Sequence, residues 1–484
     1  MNRQYWKSTT TLQPVRRKLA MPTQCQKLAC VFPDQVVFPN STVYEGAESH
    51  YWSVQQSELR PTCRFFPDGA QDVRSALQIA QATNTSVAVV SGGHSSNVNA
   101  SNIDHGMTMD LAALSNIVVS EDRASVWLGP AAIWSEVYAA LEPHGLTVPG
   151  GRVGHVGVGG YVLGGGFSWY ANTHGWSCDN VLDFVVVTPD LRILHVNSSA
   201  HADLFWALKG SLGAFGVVTG IRMQTSRNAG FYGGGISYSD EALPAVYVGL
   251  SNLAYESETT PIHLATSPKQ WSHNVYLINT ANSSESSANG DFRMIPNKGH
   301  NQRHMSPRQS ADEIAESNPL GYRRSKFTIT TLATVEIMNL THQYVRGFVE
   351  DGLKLSSDEF FGITFQPITS PHLQAQGQNI FSDRLRLEWG PLLLISIELW
   401  WKDPTRDAFF ENEMKGLCED GLEFFFMWMR VLHPWVYPNY AASWQDALSA
   451  ERLGKDFEQR LAGVRQSYDA QNLWQGMVPG IWHV

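Results

Sequence analysis

Short apolar runs alternate with amphipathic stretches between residues 60 and 223. Residues 61–84 predict a short strand and then a helix, with Val73, Leu77, Ile79 and Ala80 on its apolar side. The run VAVV that follows predicts a buried strand, and SGGHS directly after it predicts a tight turn. Further predicted elements are strands at 107–111 and 125–128, a helix at 131–145, a strand pair at 181–194, and a helix, a glycine-rich turn and a strand within 201–223. This alternation is typical of an α/β or α+β domain.

The pattern changes between residues 230 and 430, where longer apolar runs predict a second domain with an antiparallel sheet. Its predicted strands are NVYLINT, KFTITTLATVEIM, EFFGITFQPIT and PLLLISIELWW. Amphipathic helical stretches separate them. Residues 283–318 are polar and rich in Ser, Asn and Gly, which predicts a long loop or insertion. Residues 1–40 are polar with scattered prolines and predict a leader outside the fold.

The amino-acid composition indicates which kinds of molecule the protein binds. Of the 484 residues, 17% are charged, and the net charge of −10 argues against nucleic acid, because phosphate binding needs clustered Lys and Arg. No apolar run reaches the ~18 residues of a membrane-spanning helix. The abundant aromatic residues, 16 Trp, 16 Tyr and 22 Phe, fit a large enzyme with an apolar substrate cavity. We therefore expect a small-molecule substrate, and neither a nucleic acid nor a membrane; the oligomeric state is left open.

Cysteines and glycosylation sequons bear on metal binding and on the compartment. No two of the five cysteines form a CxxC pair, so we expect no metal site. Either Cys25 or Cys30 pairs with Cys63 in an oxidising compartment, or all five thiols are free. The N-terminus lacks the apolar core of a signal peptide, which leaves a cytoplasmic location open, whereas six sequons favour a secretory ancestry. The sequons lie at Asn40, Asn84, Asn99, Asn197, Asn282 and Asn339.

Two glycine-rich segments, 91–95 and 149–166, are the strongest chemical signal. Glycines at strand ends let backbone N–H groups approach a bound group closely, which suits an anionic pyrophosphate. A Rossmann site needs GxGxxG after a strand, and residues 157–162 lack the last glycine in register. The GxxxxGK[ST] motif of a P-loop is also missing from the sequence. The glycine spacing therefore indicates a dinucleotide held by another fold.

An ordered series of motifs from Pro61 to Met223 resembles the FAD-linked oxidases of the vanillyl-alcohol-oxidase and berberine-bridge-enzyme type, especially their fungal branch. A weaker resemblance continues into the C-terminal tail. Each motif alone is weak, whereas eight in the right order are highly specific. They are P-x-C (61–63), SGGHS (91–95), M-x-x-DL (107–111), GGRVGHVGVGG (150–160), GGG (164–166), DNV (179–181), DLFWALKG (203–210) and FGVVT (215–219), followed in the tail by YPNY (437–440) and YDAQNLW (468–474).

The resemblance implies an α+β fold with a PCMH-type FAD-binding domain of two subdomains and an antiparallel-sheet substrate domain that covers the isoalloxazine ring. Combined with the change in pattern, it predicts four segments. They are a leader (1–40), the FAD-binding domain (41–228), the substrate-binding domain (229–430) and a C-terminal segment that completes the FAD domain (431–484).

The resemblance also implies that FAD is attached covalently through His94 alone. His94 falls on the family histidine that bonds to the flavin 8α-methyl carbon; the alternative is a turn histidine bonded to backbone. Many members carry a second tether, a cysteine, at the position that Val153 occupies here. Cys178 lies off that position, and we expect it to pack in the core. Val156 matches the position that tunes oxygen access, and a small valine there resembles oxidases.

The residues assigned to FAD come from the glycine segments, one later strand and the tail. They are Ser91, Gly92, Gly93, His94, Ser95, Gly150, Gly151, Val156, Gly157, Gly159, Gly160, Gly164, Val218, Tyr437 and Asn439.

Three residues are candidates for acid–base chemistry. His155 lies between the glycine segments and has a side chain whose ordinary pKa suits proton transfer; the alternative is a polar residue at the edge of the ring. Tyr437 belongs to the tail motif and could orient the substrate or contact the flavin. Glu398 shares a strand face with Trp400, by alternation, and is either a base or a salt-bridged carboxylate.

The expected activity is hydride transfer from a substrate C–H to flavin N5, with O2 as the electron acceptor. The aromatic-rich second domain favours an apolar natural-product substrate. The alternative is a flavin-dependent cyclase or isomerase, in which ring formation, such as a Diels–Alder reaction, is coupled to the oxidation or replaces it.

Overall fold

The computed structural model describes residues 23–256, 259–267, 271–480 and 482, and residues 1–22 of the predicted leader lie outside this part. The first subdomain is a sheet in the order β1-β2-β4-β3, parallel except for β1, with helices packed on it. Its elements are α1 (Gln24–Val31), β1 (Val36–Val37), α2 (Thr42–Glu48), α3 (Val54–Ser57), β2 (Cys63–Phe65), α4 (Ala70–Thr83), β3 (Val87–Val90) and β4 (Met107–Asp110). Helix α4 buries Val73, Leu77 and Ala80 as the sequence predicts, whereas Ile79 of the predicted face is only half-buried.

The prediction of a leader up to residue 40 is wrong for residues 24–37. Helix α1 buries Cys25 and Leu28 in the core of the first subdomain, and β1 pairs with β2. Cys25 forms a disulfide with Cys63, whereas Cys30 is exposed and free. The helix was missed because its buried apolar residues are few, Cys25 and Leu28 with Ala29 beside them, and Gln24, Gln26 and Lys27 give the segment a polar composition.

The second subdomain is an antiparallel sheet in the order β5-β6-β10-β8-β9, with a separate β7–β11 pair. Its elements are β5 (Ile117–Val119), β6 (Ser125–Leu128), α5 (Trp134–Leu141), β7 (Leu146–Thr147), α6 (Val158–Leu163), α7 (Ala171–His174), β8 (Val181–Val187), β9 (Ile193–Val196), α8 (Ala202–Leu208), β10 (Val217–Gln224) and β11 (Ser226–Arg227). The predicted strand pair at 181–194 is confirmed as the β8–β9 hairpin. Cys178 is fully buried in the core of this subdomain, as predicted.

The second domain is built on one large antiparallel sheet, here called the substrate sheet, in the order β15-β12-β14-β13-β18-β19-β17-β20, with β16 also paired to β12. Its elements are β12 (Phe231–Tyr238), α9 (Leu243–Glu256), β13 (Thr259–Ser267), β14 (Ser272–Asn279), α10 (Ser287–Met294), β15 (Gly299–His300), β16 (Arg303–Met305), α11 (Pro307–Glu316), β17 (Arg323–Leu332), α12 (Val335–Gly347), β18 (Phe360–Ile368), α13 (Ser370–Ala375), β19 (Leu392–Trp401), α14 (Asp407–Gly416), α15 (Phe424–Trp428) and β20 (Leu432–His433).

Alternation along its strands gives the substrate sheet two different faces. One face carries Phe327, Ile397 and Phe365, which pack in a closed apolar core with the inner sides of α9, α12 and α14. The opposite face carries polar and aromatic side chains such as Lys326 and Glu398, and it lines a cavity. The apolar face therefore holds the domain together and leaves the other face available for a ligand.

The prediction of a long loop at 283–318 is wrong. This segment contains α10, β15, β16 and α11, of which α11 begins with a capping box between Ser306 and Gln309. Pro307 stands at the start of α11, where a missing backbone N–H costs nothing. The polar composition reflects an exposed helical surface, and α11 touches the glycine-rich segment through the bond from Gly154 N to Ala311 O, 2.9 Å long.

The C-terminal segment returns to the FAD domain. It comprises α16 (Ala450–Leu453), α17 (Lys455–Tyr468) and α18 (Leu473–Met477). Tyr468 donates to Asp203 of α8 (2.9 Å), and Trp474 Nε1 donates to the carbonyl of Gly213 (2.8 Å). Trp474 and Met477 are buried in the first subdomain core. No helix within the described residues is long and apolar enough to span a membrane.

Candidate active site

A cavity of about 730 Å³ separates the two glycine-rich segments from the polar face of the substrate sheet. Residues 91–101 and 151–163 form one wall, and strands β13, β14, β17, β18 and β19 form the wall opposite. Residues 212–218 and the C-terminal segment close the remaining sides. Both domains and the tail therefore contribute to one enclosed space.

The two glycine segments cross with their backbones in contact. A Cβ on Gly157 would lie 2.5 Å from Gly92 N, and a Cβ on Gly92 would lie 2.6 Å from Gly157 Cα. Gly93 adopts a positive φ of 64°, which turns the chain directly after β3. Only glycine fits at this crossing, and it leaves the backbone of both segments exposed to the cavity. That arrangement fits a dinucleotide whose phosphates are bound by backbone N–H groups.

His94 lines the cavity at the end of this crossing. Its ring stacks on Trp52 with centroids 4.2 Å apart, and its Nε2 is shielded from solvent without a hydrogen-bond partner among the described residues. Burial lowers the pKa of His94 well below its ordinary value, and the positive charge of Arg324 lowers it further. The imidazole is therefore neutral, with a buried ring nitrogen that has no partner in the described part of the chain.

His155 lies behind His94 and outside the cavity lining. The two rings are 4.8 Å apart, and His155 Nε2 donates to the carbonyl of Asn318 at 3.0 Å. Burial lowers the pKa of His155, so that this ring is neutral as well. The contact with His94 and the bond to Asn318 place His155 as a support for the cavity wall.

In the tail motif, Tyr440 lines the cavity, whereas the sequence had predicted this position for Tyr437. Tyr437 is fully buried behind the wall, where its hydroxyl accepts from Phe167 N (3.0 Å) and Asn439 Nδ2 (3.1 Å). Burial raises the pKa of Tyr437 well above its ordinary value, so its phenol stays protonated. Tyr440 and Asn439 line the cavity instead. Tyr440 accepts a hydrogen bond from Arg152 Nη2 at 2.7 Å.

Glu398 and Trp400 share the cavity face of β19, as alternation predicts. Trp400 Nε1 donates to Glu398 Oε1 at 2.5 Å, and Arg324 Nη1 lies 3.5 Å from the same oxygen. The Arg324 guanidinium is sandwiched between the rings of Trp52 (3.8 Å) and Trp400 (4.0 Å). Burial lowers the pKa of Arg324 to about 10, which still leaves it charged at neutral pH. The side chains of His94, Trp52, Arg324 and Trp400 therefore form one continuous stack that ends on the substrate sheet.

Most of the residues predicted to bind FAD meet in this cavity. Those that line it are Ser91, Gly92, Gly93, His94, Ser95, Gly151, Val156, Gly157, Gly159, Gly160, Val218 and Asn439. Gly150, Gly164 and Tyr437 lie behind the lining. Gly150 and Gly164 make room for large neighbours, since a Cβ would lie 2.7 Å from the Tyr138 hydroxyl at one and 2.6 Å from Asn439 Cγ at the other.

Comparisons with known proteins agree with this geometry. BBE-like 1 of Physcomitrella patens superposes with a TM-score of 0.75 at 15% identity, over 94% of this chain and 98% of that one. A sequence profile described as "FAD binding domain" matches residues 61–197. The FAD-dependent monooxygenase FUP4 of Fusarium proliferatum is 32% identical over 462 residues, which span 90% of this chain and 87% of that protein.

The chain is an FAD-linked oxidoreductase of the vanillyl-alcohol-oxidase and berberine-bridge-enzyme type. A second fungal relative, the FAD-dependent monooxygenase tpcD of Cochliobolus heterostrophus, is 30% identical over 475 residues, covering 92% of this chain and 88% of that protein. The α+β fold and the enzymatic nature that the motifs imply are thereby confirmed.

Sequence reasoning missed several cavity residues of this FAD-linked oxidoreductase. Arg152 and Lys326 bring positive charge to the cavity, and Tyr440 lies between them. Trp52 and Arg324 join His94 to β19. Alternation from Glu398 across the strand pairs could have indicated Lys326, whereas nothing in the sequence links Arg152 to a tyrosine 288 residues later.

We predict that Gly92→Ala disrupts the glycine crossing of this oxidoreductase. The new Cβ meets backbone, which cannot move aside as a flexible side chain would, so the substitution costs at least about 1–3 kcal/mol. The purified variant should lose most of its bound flavin and melt at a lower temperature, measured by the flavin-to-protein absorbance ratio and by thermal denaturation. Gly46→Ala in α2 is the control, because its Cβ meets nothing within 4 Å. Full flavin content together with wild-type melting in Gly92→Ala would contradict the role given to the crossing.

Proposed function

We propose that this FAD-linked oxidoreductase removes a hydride from a C–H bond of a small, largely apolar organic molecule and passes the electrons to O2. The supporting observation is the single cavity that has the glycine cradle on one side and the polar, aromatic face of the substrate sheet on the other. Bound FAD supplies the hydride acceptor and is reoxidised by O2. The side chains of the chain bind and orient the substrate and move its proton.

Tyr440 and Glu398 are the acid–base candidates that the cavity favours. The Tyr440 hydroxyl accepts from Arg152, which leaves its own proton free to be exchanged with a substrate hydroxyl or amine. Glu398 is fixed by Trp400 and Arg324 and is the carboxylate on the cavity face of β19. Tyr437 lies behind the cavity wall, so we assign it the structural task of holding Asn439 and the backbone at Phe167. His155 is a positioning residue that acts through His94.

We propose that His94 alone is the covalent attachment point for the flavin. Bond formation requires an unprotonated ring nitrogen, and the lowered pKa of His94 keeps its imidazole neutral. The unpartnered Nε2 within the cavity wall supports this role. Val153 lines the cavity where many family members carry a cysteine, and Cys178 is buried elsewhere in the core. These positions support a single tether through His94.

We predict that acid-precipitated wild-type protein stays yellow and that His94→Ala releases its flavin into the supernatant. The measurement is absorbance of the washed pellet and of the supernatant near the flavin maximum, followed by peptide mass spectrometry of the pellet. Cys178→Ser is the matched control and should retain the flavin, because this thiol lies outside the cavity lining. A colourless wild-type pellet would refute the tether, and a flavin-bearing cysteine peptide would refute its single attachment.

Oxygen insertion is the second candidate, because relatives that match almost the whole chain are named FAD-dependent monooxygenases. An oxidase releases H2O2 and keeps molecular oxygen out of its product, whereas a monooxygenase inserts one oxygen atom. Val156 lines the cavity, and its small side chain is compatible with entry of O2, which both reactions need, so the two reactions are separated by the fate of the oxygen atoms.

We predict that turnover under ¹⁸O2 gives unlabelled product and about one H2O2 per product, and that anaerobic mixing with substrate bleaches the flavin. Product mass and peroxide release are the measurements. Incorporation of ¹⁸O would instead establish a monooxygenase. Turnover without bleaching would establish the redox-neutral cyclase or isomerase.

We propose that the chain folds in an oxidising compartment, because a disulfide joins Cys25 to Cys63 within its core. Of the sequon asparagines, Asn40, Asn84 and Asn99 are exposed in turns with positive φ, and Asn99 also lines the cavity. By contrast, Asn282 is already engaged, with Nδ2 donating to the carbonyl of Ala229 and Oδ1 accepting from His304.

We predict that protein from a secreting eukaryotic host carries N-glycans at Asn40 and Asn84. Asn40→Gln and Asn84→Gln should each remove one glycan, so each variant should migrate faster than the wild type in electrophoresis. Treatment with peptide N-glycosidase should abolish this difference in mobility. Asn282→Gln is the control and should change nothing. Unchanged mobility of the wild type after the glycosidase would refute the proposal.

A further inference from the structure

Two positively charged side chains, Lys326 and Arg152, line the cavity without an ion-pair partner among the described residues. Lys326 projects from β17 in the substrate sheet, and Arg152 comes from the glycine-rich segment on the other wall. Both charges are taken partly out of water by the cavity walls, which is costly unless an opposite charge compensates them. The cavity therefore offers positive charge that the protein leaves uncompensated.

The nearest acidic candidate is engaged elsewhere. Glu398 is the only carboxylate among the described residues that line the cavity, and it faces Lys326 across the β17–β19 pairing. Its Oε1 accepts from Trp400 at 2.5 Å and lies 3.5 Å from Arg324. Arg324 therefore offsets the charge of Glu398, and Lys326 is left with no carboxylate within 4.0 Å among the described residues.

Arg152 lines the cavity and has one side-chain donor without a partner among the described residues. The side chain is only 8% exposed and lies over the rings of Phe167 (5.1 Å) and Trp169 (5.4 Å). Nη2 donates to Tyr440, whereas Nη1 is buried with no partner among the described residues. A buried guanidinium N–H without an acceptor is rare in native proteins, so this donor is available to an acceptor that the described residues do not supply.

Tyr440 connects the two charges. Lys326 Nζ lies 3.8 Å from the centroid of its ring, and Arg152 holds its hydroxyl at 2.7 Å. Because the hydroxyl oxygen accepts from Arg152, the hydroxyl proton can point to a third group. Lys326, Arg152 and Tyr440 thus form a set of donors at one place in the cavity, with no acceptor of their own to satisfy all of them.

The rest of the sheet wall combines apolar and aromatic side chains with neutral polar ones. The apolar and aromatic side chains are Ile262, Leu264, Tyr276, Phe360 and Trp400, and the neutral polar ones are Thr266, Asn274, Thr364 and Gln366. The apolar and aromatic part of this wall fits a flat or apolar skeleton.

We infer that Lys326, Arg152 and Tyr440 form a binding site for one anionic oxygen, a carboxylate or a phenolate, carried by an aromatic or otherwise apolar substrate. This inference deepens the proposed function and rests on it. Arg152 belongs to the glycine-rich wall, where the cofactor pyrophosphate is expected, whereas Lys326 belongs to the opposite wall. An anion that reaches both cations lies between the two walls, and we assign it to the substrate.

The test measures binding of simple anions to the flavin-loaded enzyme. Benzoate is compared with neutral benzamide, and pentafluorophenol, which is ionised at neutral pH, is compared with neutral phenol. Perturbation of the flavin absorbance and titration calorimetry give the dissociation constants. In the wild type, at least one anion should bind about 10-fold tighter than its neutral counterpart, in line with a charge-assisted hydrogen bond. The pair that shows this difference distinguishes carboxylate from phenolate recognition.

Two variants assign the effect to these side chains. Lys326→Met should remove most of the preference for the anion and leave binding of the neutral probe within about two-fold, and Lys326→Arg should restore the preference. Lys402→Met is the matched control, because Lys402 is exposed just after β19 and lies 5.0 Å from the ring centroid of Tyr322, outside the cavity lining. It should bind all probes as the wild type does.

The outcomes separate this site from the proposed function. Wild-type enzyme that binds flavin but prefers neither anion to its neutral counterpart overturns the anion site alone. An unchanged preference in Lys326→Met also overturns it. Failure to bind flavin at all refutes the proposed function. If Lys326→Met loses its flavin through misfolding, the wild-type comparison and Lys326→Arg still decide the question.

Discussion

The close contact between the backbones of Gly92 and Gly157 is the constraint on which the site depends. One glycine ends the turn after β3 in the first subdomain, and the other precedes α6 in the second. Side chains of any size would push the two segments apart. The contact fixes the distance between the subdomains and, with it, the positions of His94 and the start of α6. A local steric requirement at two residues thus sets the geometry of a cavity built from three parts of the chain.

The two faces of the substrate sheet have different roles. Neighbouring residues on one strand do opposite things, as Phe327 packs in the core while Lys326 faces the cavity. The stack of His94, Trp52, Arg324 and Trp400 then ties this face to the cofactor wall. Arg324 serves both ends, because it fixes the carboxylate of Glu398 and helps to keep His94 neutral. The environment of the histidine is therefore electrostatically coupled to the substrate wall.

Patterns within a few residues of each other predicted the helices, the strands and the class of cofactor. Contacts between residues far apart in the sequence could not be predicted in this way. VAVV, the apolar face of α4 and the alternation of β19 each follow from spacing within a few residues. The tail motif shows this limit. Tyr437 was predicted to reach the site, but it is buried, and Tyr440, three residues later, lines the cavity instead. Only the folded chain distinguishes the two tyrosines. Pairs such as Arg152–Tyr440 and Cys25–Cys63 depend on the path of the whole chain.

The C-terminal segment has a consequence for the order of events during synthesis. Trp474, Val478 and Gly480 line the cavity, and Gly480 packs directly against the backbone of Asn99. Apart from Trp482, these residues are the last parts of the cavity wall to be synthesised. The cavity is consequently open on one side until the tail has been made and has docked. A chain that stops before residue 474 would lack this side of the wall and would leave the glycine-rich segments uncovered there.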